Sequence, residues 1–138
     1  VEDPKMDLDE RIQRLAAAAE PTFWGFLGCE FVSIKDDVIT IALEAKQQHL
    51  NLIGIVHGGV LSSLLDNAMG IIVMTARPED KVVTTNLNVH FVAPLKEGRL
   101  LVSAEIIHQS RKMITTQGRV TDSEGNLGTM GTGTFRVI

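Results

Sequence analysis

Polar and apolar positions follow three successive periods along the chain. In residues 7–19, DLDERIQRLAAAA, Leu8, Ile12 and Leu15 recur at helical spacing. An acidic start and an alanine-rich body favour the same short helix. Pro21 restarts the chain, and Thr22 to Leu27 reads as a helical turn whose Phe23, Trp24 and Phe26 form a hydrophobic lid on the core, with a cofactor platform as the alternative. Cys29 to Ile34 and Val38 to Leu43 read as two strands joined by the turn Lys35-Asp36-Asp37. A polar connection then leads into a long apolar run that stops at Arg77-Pro78, where the proline cannot continue a helix. Beyond it the period becomes two. Between Lys81 and Ala93, Thr85, Leu87, Val89 and Phe91 fall on one face and Thr84, Asn86, Asn88 and His90 on the other. Arg99 to Gln109, Met113 to Asp122 and Leu127 to Val137 follow as strands, the last two joined across Ser123-Glu124-Gly125-Asn126. Gly128, Gly131 and Gly133 in the final strand mark close backbone approach, with the apolar helix as the natural neighbour.

Two strands, one long helix and four consecutive antiparallel strands argue for an α+β fold rather than a parallel α/β sheet. One antiparallel sheet of five to six strands curling around the helix would bury it. Residues 1–138 read as a single domain, with residues 1–20 as an N-terminal helical extension.

The central run, Leu52 to Ala76, is apolar on nearly every side and reads as a buried helix starting at His57-Gly58-Gly59. It is long enough to cross a bilayer. A central Asp would cost about 2.5–3.5 kcal/mol on insertion scales, however, so a soluble core helix is the better reading. Its one carboxylate is Asp66. A buried carboxylate is paired, neutralised or functional. Its structural alternative is a bond to a neighbouring serine such as Ser62. The free amides at Gly58 and Gly59, backed by the helix dipole, form a site for developing negative charge. Seven residues separate Gly59 from Asp66, about 10 Å along the axis, whereas a general base must sit about 3 Å from its target. One helix therefore cannot bring both to one carbonyl. A second copy running antiparallel would, which predicts a homodimer with two composite sites.

Composition narrows the chemistry. A net charge of −4 and an isoelectric point near 5.5 give no electrostatic footprint for nucleic acid, so any anion site must be local. The N-terminal VEDPKMDLDE has no signal-peptide character, and the lone Cys29 cannot form an internal disulfide; both fit a cytoplasmic protein. His49, His57, His90 and His108 match no metal-ligand spacing, and no G-x-S-x-G, GxxxxGK[ST] or H-E-x-x-H occurs. No metal or cofactor is expected. His57 reads either as an N-cap substitute or as a base, Asn51 as a turn former or a polar site residue, and Arg111-Lys112 as exposed hairpin charges or an anion contact.

The stretch from Asn51 to Gly70, N-x5-HGGVLSSLLDNAMG, resembles the signature of the PaaI-like (phenylacetate-type) hotdog-fold acyl-CoA thioesterases. NLNVHFVAPLKEGRLLVSAEIIHQSRKM is similar to the long strands of the same family. The resemblance implies a sheet wrapped around one helix, subunits paired as a homodimer and then a dimer of dimers, and sites between subunits. It implies Asp66 as general base or nucleophile, the Gly58 amide as donor to the thioester oxygen, Asn51 as a group positioning water or thioester, His57 as a group orienting the site, and Thr84 as a hydroxyl beside the base. Strand parity conflicts with the last of these, because it places Thr85 rather than Thr84 on the apolar face. Gly59, Thr85, Arg111 and Lys112 are the expected substrate contacts, and Lys81 and Arg99 are further cations for the CoA phosphates. CoA is then part of the substrate and no separate cofactor is implied. Two alternatives stay open: a hydratase or dehydratase on the same fold, although its H-x-x-G-x-P loop is absent, and a non-catalytic acyl-CoA binding or sensor module.

Overall fold

The computed structural model describes residues 7–138. The first six residues of the expected N-terminal extension lie outside the described residues. Asp7 caps helix α1 (Leu8–Ala19) by accepting the Glu10 N–H at 2.8 Å, an N-cap of the ordinary kind. Helix α2 (Phe23–Leu27) ends on Gly28, whose φ of 97° is the left-handed conformation that glycine adopts without a Cβ penalty. Trp24 and Leu27 are buried, while Phe23 and Phe26 remain exposed, so only part of the expected lid reaches the core.

Strands β1 (Glu30–Lys35) and β2 (Val38–Ala45) form a hairpin across Asp36 and Asp37, both at positive φ. Two left-handed residues match the twist of the flanking strands. A single 3-10 turn (Gln47–His49) and a loop lead into α3 (Gly58–Ala76). Strands β3 (Val82–Phe91), β4 (Gly98–Gln109), β5 (Met113–Thr121) and β6 (Leu127–Val137) complete a six-stranded antiparallel sheet of order β1-β2-β4-β5-β6-β3. The α+β expectation of one sheet wrapped around one long helix holds, with six strands.

The sheet packs on one side of α3. Leu64, Leu65, Ala68, Met69 and Val73 are buried against Ile39, Ile41, Leu43, Leu100, Val102, Ile114 and Val120. Each of these side chains except that of Ala68 contributes about 1.5–3 kcal/mol relative to exposure. The glycines of β6 do what their position suggests. A Cβ on Gly133 would stand 2.8 Å from the Met69 sulfur, and one on Gly131 would stand 2.4 Å from the Asn88 carbonyl oxygen and 3.3 Å from Leu65. The expectation of a helix buried all round is corrected: the other face, carrying Ser62, Ser63, Asp66, Asn67 and Gly70, is half-buried within one chain. Sequence hydrophobicity ran around the whole helix, but one sheet covers one side of it.

At its far end α3 is held by arginines. Arg11 of α1 donates to the Thr75 carbonyl at 3.2 Å, a cation placed at the negative end of the helix dipole. Arg77 donates to Gln109 at 2.9 Å and to the Ser110 and Arg111 carbonyls, which ties the helix end to the β4–β5 turn.

Candidate active site

Asp66 lies midway along α3, half-buried rather than enclosed. Thr84 Oγ1 donates to Asp66 Oδ1 at 2.7 Å. This corrects the parity argument, and the cause is a β-bulge. Thr84 pairs with Phe135 and Asn86 with Thr134, leaving Thr85 as the extra residue in β3. A bulge inserts one residue and reverses the alternation on one side of it. Leu87 and Val89 therefore face the helix from beyond the bulge, and Thr84 and Val82 face it from before. Thr85 is turned away and donates to the Thr134 carbonyl at 3.2 Å, so it is withdrawn as a substrate contact on the helix face. Ser62 is not the partner of Asp66, and Ser63 bonds back to the Gly59 carbonyl at 2.7 Å.

Beside this pair is a cavity of about 480 Å³. Asp66, Asn67 and Thr84 are at its polar side, and Ile71, Met74 and Phe135 are among its apolar walls. Helices α1 and α2 supply a further wall, through Ile12, Leu15, Ala16, Ala19, Phe23 and Trp24. Of these N-terminal residues the sequence marked only Phe23 and Trp24, as lid or platform aromatics, and it marked neither the α1 residues nor Asn67 for a site. The alanines carried a signal only in that they are small on a helix face adjoining Ile12. Asn67 Nδ2 also donates to Cys29 Sγ at 3.5 Å. Burial pushes the Cys29 thiol up to about 11, against a smaller opposing effect of that hydrogen bond, so the thiol is neutral at physiological pH and a poor nucleophile.

The start of α3 forms a second group. His57 is the N-cap, and its Nδ1 accepts the Gly59 N–H at 2.8 Å. That fits the N-cap reading of His57 and removes Gly59 from the free donors. The Gly58 N–H has no acceptor among the described residues. A Cβ at Gly58 would stand 3.2 Å from the ring of Phe91, so the glycine admits that ring. Asn51 Oδ1 accepts from the Ile53 and Ile55 amides at 3.1 and 3.2 Å, the geometry of a turn former. Asn51 and His57 line a separate depression with Leu50, Leu52 and Ile53. Asn51, His57 and Gly58 are absent from the lining of the Asp66 cavity. Within one chain, then, the structure groups Asp66 with Thr84 and leaves the helix-start group apart from them.

The expected phosphate anchors are dispersed. Arg111 and Lys112 are exposed in the β4–β5 turn and do not line the Asp66 cavity. Lys81 is exposed just ahead of β3. Arg99 is not available as an unpaired cation, because it lies 3.3 Å from Glu44 and 3.5 Å from Glu30. No cluster of three or more His, Cys, Asp or Glu side chains that could hold a metal occurs among the described residues.

The model of the thioesterase superfamily matches residues 53–129, more than half of the chain and all of α3. The chain belongs to the thioesterase superfamily. Its sheet wrapped around one helix is the hotdog fold of that superfamily. A variant of the phenylacetic acid degradation protein PaaI from Thermus thermophilus has a similar structure, with a TM-score of 0.77 at 27% identity, covering 84% of this chain and 98% of the other. The zebrafish thioesterase superfamily member 2 shares the fold at a TM-score of 0.85 and 23% identity, covering 97% and 100%. The 1,4-dihydroxy-2-naphthoyl-CoA hydrolase of Escherichia coli K12 is 26% identical over 118 residues, 84% of this chain and 86% of the relative. The PaaI-like resemblance and the expectation of an enzyme that hydrolyses thioester bonds both rest on firm ground within this superfamily.

Proposed function

We propose that the protein hydrolyses acyl-CoA thioesters to the free acid and CoA, with Asp66 as general base or nucleophile. The observation that carries this reading is the Asp66–Thr84 hydrogen bond on the lining of a largely apolar cavity. Thr84 fixes Oδ1, and Oδ2, which has no hydrogen-bond partner among the described residues, is left to take a proton from water. Water attacks the thioester carbonyl carbon as Asp66 accepts its proton. The tetrahedral oxyanion then collapses with cleavage of the C–S bond, and CoA leaves as the thiol after taking up the proton. In the nucleophilic variant Oδ2 itself attacks, and water later hydrolyses the anhydride.

The oxyanion needs a donor, and the unclaimed Gly58 N–H at the positive end of α3 is suited to it. Along the helix it is about 12 Å from Asp66, and it is not in the Asp66 cavity. The reading is therefore a homodimer in which one subunit supplies the Gly58 amide and the other supplies Asp66. Two further features support it: among the described residues β3 ends the sheet with one edge unpaired, and the half-buried face of α3 lies beside it. Loss of one oxyanion donor typically costs about 2.7–4 kcal/mol of barrier.

Complementation tests this reading. Gly58→Val drives a side chain into the Phe91 ring and displaces the helix start, while Asp66→Asn removes the base. Each variant alone is inactive. After subunit exchange, about half the dimers are mixed and each holds one intact site, so thioester hydrolysis returns to about a quarter of wild type. Mixed dimers, verified by mass, that stay as inactive as the parents would overturn the shared site.

A further inference from the structure

We infer that the N-terminal helices α1 and α2 are the acyl-selecting wall of the enzyme, and that Ala16 and Ala19 set the length of an uncharged, apolar acyl group held beside Asp66. The inference rests on the thioesterase reading of that site and extends it to the substrate class.

The cavity is of ligand size at about 480 Å³. Ile12, Leu15, Ala16 and Ala19 fall within two turns of α1, at spacings that bring them to one side of the helix. Ile12 is buried and anchors that side. The Arg11 bond to the Thr75 carbonyl fixes α1 against the end of α3, and Trp24 pins α2 to the core. The wall is thus attached at both ends, yet its middle carries methyl groups where larger side chains would fill the space. Close packing is the rule in protein interiors, so an apolar hollow of this size next to a carboxylate is a place for something else. Among the described residues, no Lys, Arg or His lines it. An acyl group with a second carboxylate would meet Asp66 there without a compensating cation, which selects against dicarboxylic acyl groups.

Two readouts test the assignment. The first is kcat/KM over a series of straight-chain acyl-CoAs from acetyl to dodecanoyl, with ω-carboxy-octanoyl-CoA as comparator. The second is calorimetric binding of the same thioesters to Asp66→Asn protein, which does not depend on turnover. Each added methylene tightens binding by up to about fourfold until the cavity is full. Octanoyl-CoA is expected to bind Asp66→Asn protein at least about tenfold more tightly than acetyl-CoA, and in the wild type, where Asp66 keeps its charge, its kcat/KM should exceed that of the ω-carboxy counterpart by at least about tenfold. Ala16→Leu fills the hollow and lowers the octanoyl-to-acetyl ratio in both readouts by at least about tenfold. Met74→Ala, at a partly exposed position on the opposite wall, moves the preferred length upward and covers the case in which Ala16→Leu does not fold. Binding that does not grow with chain length, or ratios unmoved by a folded variant, would overturn the inference. If the wild type hydrolyses no thioester while the binding ratios behave as expected, the pocket assignment stands and the catalytic reading falls. Hydrolysis with unmoved ratios gives the converse.

Discussion

The two faces of α3 are built to opposite standards. Toward the sheet, a Cβ at Gly133 would stand 2.8 Å from the Met69 sulfur, and Cβ atoms at Gly118 and Gly131 would meet Leu65 at 3.1 and 3.3 Å besides the Ser103 and Asn88 carbonyl oxygens at 2.8 and 2.4 Å. Toward the N-terminal helices, one residue further along, Asp66 and Asn67 border a hollow of about 480 Å³. A domain able to bring backbone within contact of side chains on one face does not leave the other unfilled for want of apolar residues. Tight packing on one side holds the helix rigid, and rigidity is what lets the other side keep a carboxylate, a hydroxyl and an open volume in fixed relation.

Substitutions on each face should separate these roles. The largest effect belongs to Asp66→Asn, which preserves shape and removes the proposed base: turnover of acyl-CoA should fall at least about a hundredfold while thermal unfolding stays close to wild type. Full activity in the folded variant would leave the open face without a chemical purpose. On the packed face, Gly131→Ala puts a Cβ 2.4 Å from the Asn88 carbonyl oxygen, so β3 must shift away from β6. Overpacking of this kind costs about 1–3 kcal/mol, measurable as a lower urea midpoint. Gly70→Ala is the mirror test. Gly70 lines the cavity, and its Cβ would meet only Phe135 at an ordinary 3.8 Å. Replacing a glycine inside a helix should then raise stability by about 0.5–1 kcal/mol. A loss there equal to that of Gly131→Ala would show that the two faces do not differ.

Much of this was legible in the chain. His57-Gly58-Gly59 and Arg77-Pro78 bracket α3 because caps and breakers act locally, and the Asp36-Asp37 turn is local as well. The Asp66 carboxylate drew attention by its apolar neighbours alone. The parity of Thr84 was not legible, since the bulge at Thr85 is a property of how β3 pairs with β6 and leaves no mark in β3 itself. Nor was the role of the alanines in α1 visible. Helix propensity explains an alanine run equally well when its face is solvated or lines a cavity, and only the docking of α1 on α3 distinguishes the two. Half-exposure of Asp66 escaped for a related reason: an apolar sequence says a helix wants cover but not which side receives it.

The bulge carries one more consequence. The residue it displaces and the residue it presents are both threonine. If the irregularity moved by one residue, Thr85 would bring a hydroxyl to the place on Asp66 that Thr84 holds now. Thr84→Val alone leaves a spare that a one-residue slip would bring into use, whereas Thr84→Val with Thr85→Val removes both. Hydrolysis rates of the single and double variants would reveal that redundancy as a loss larger in the pair than the sum of its parts.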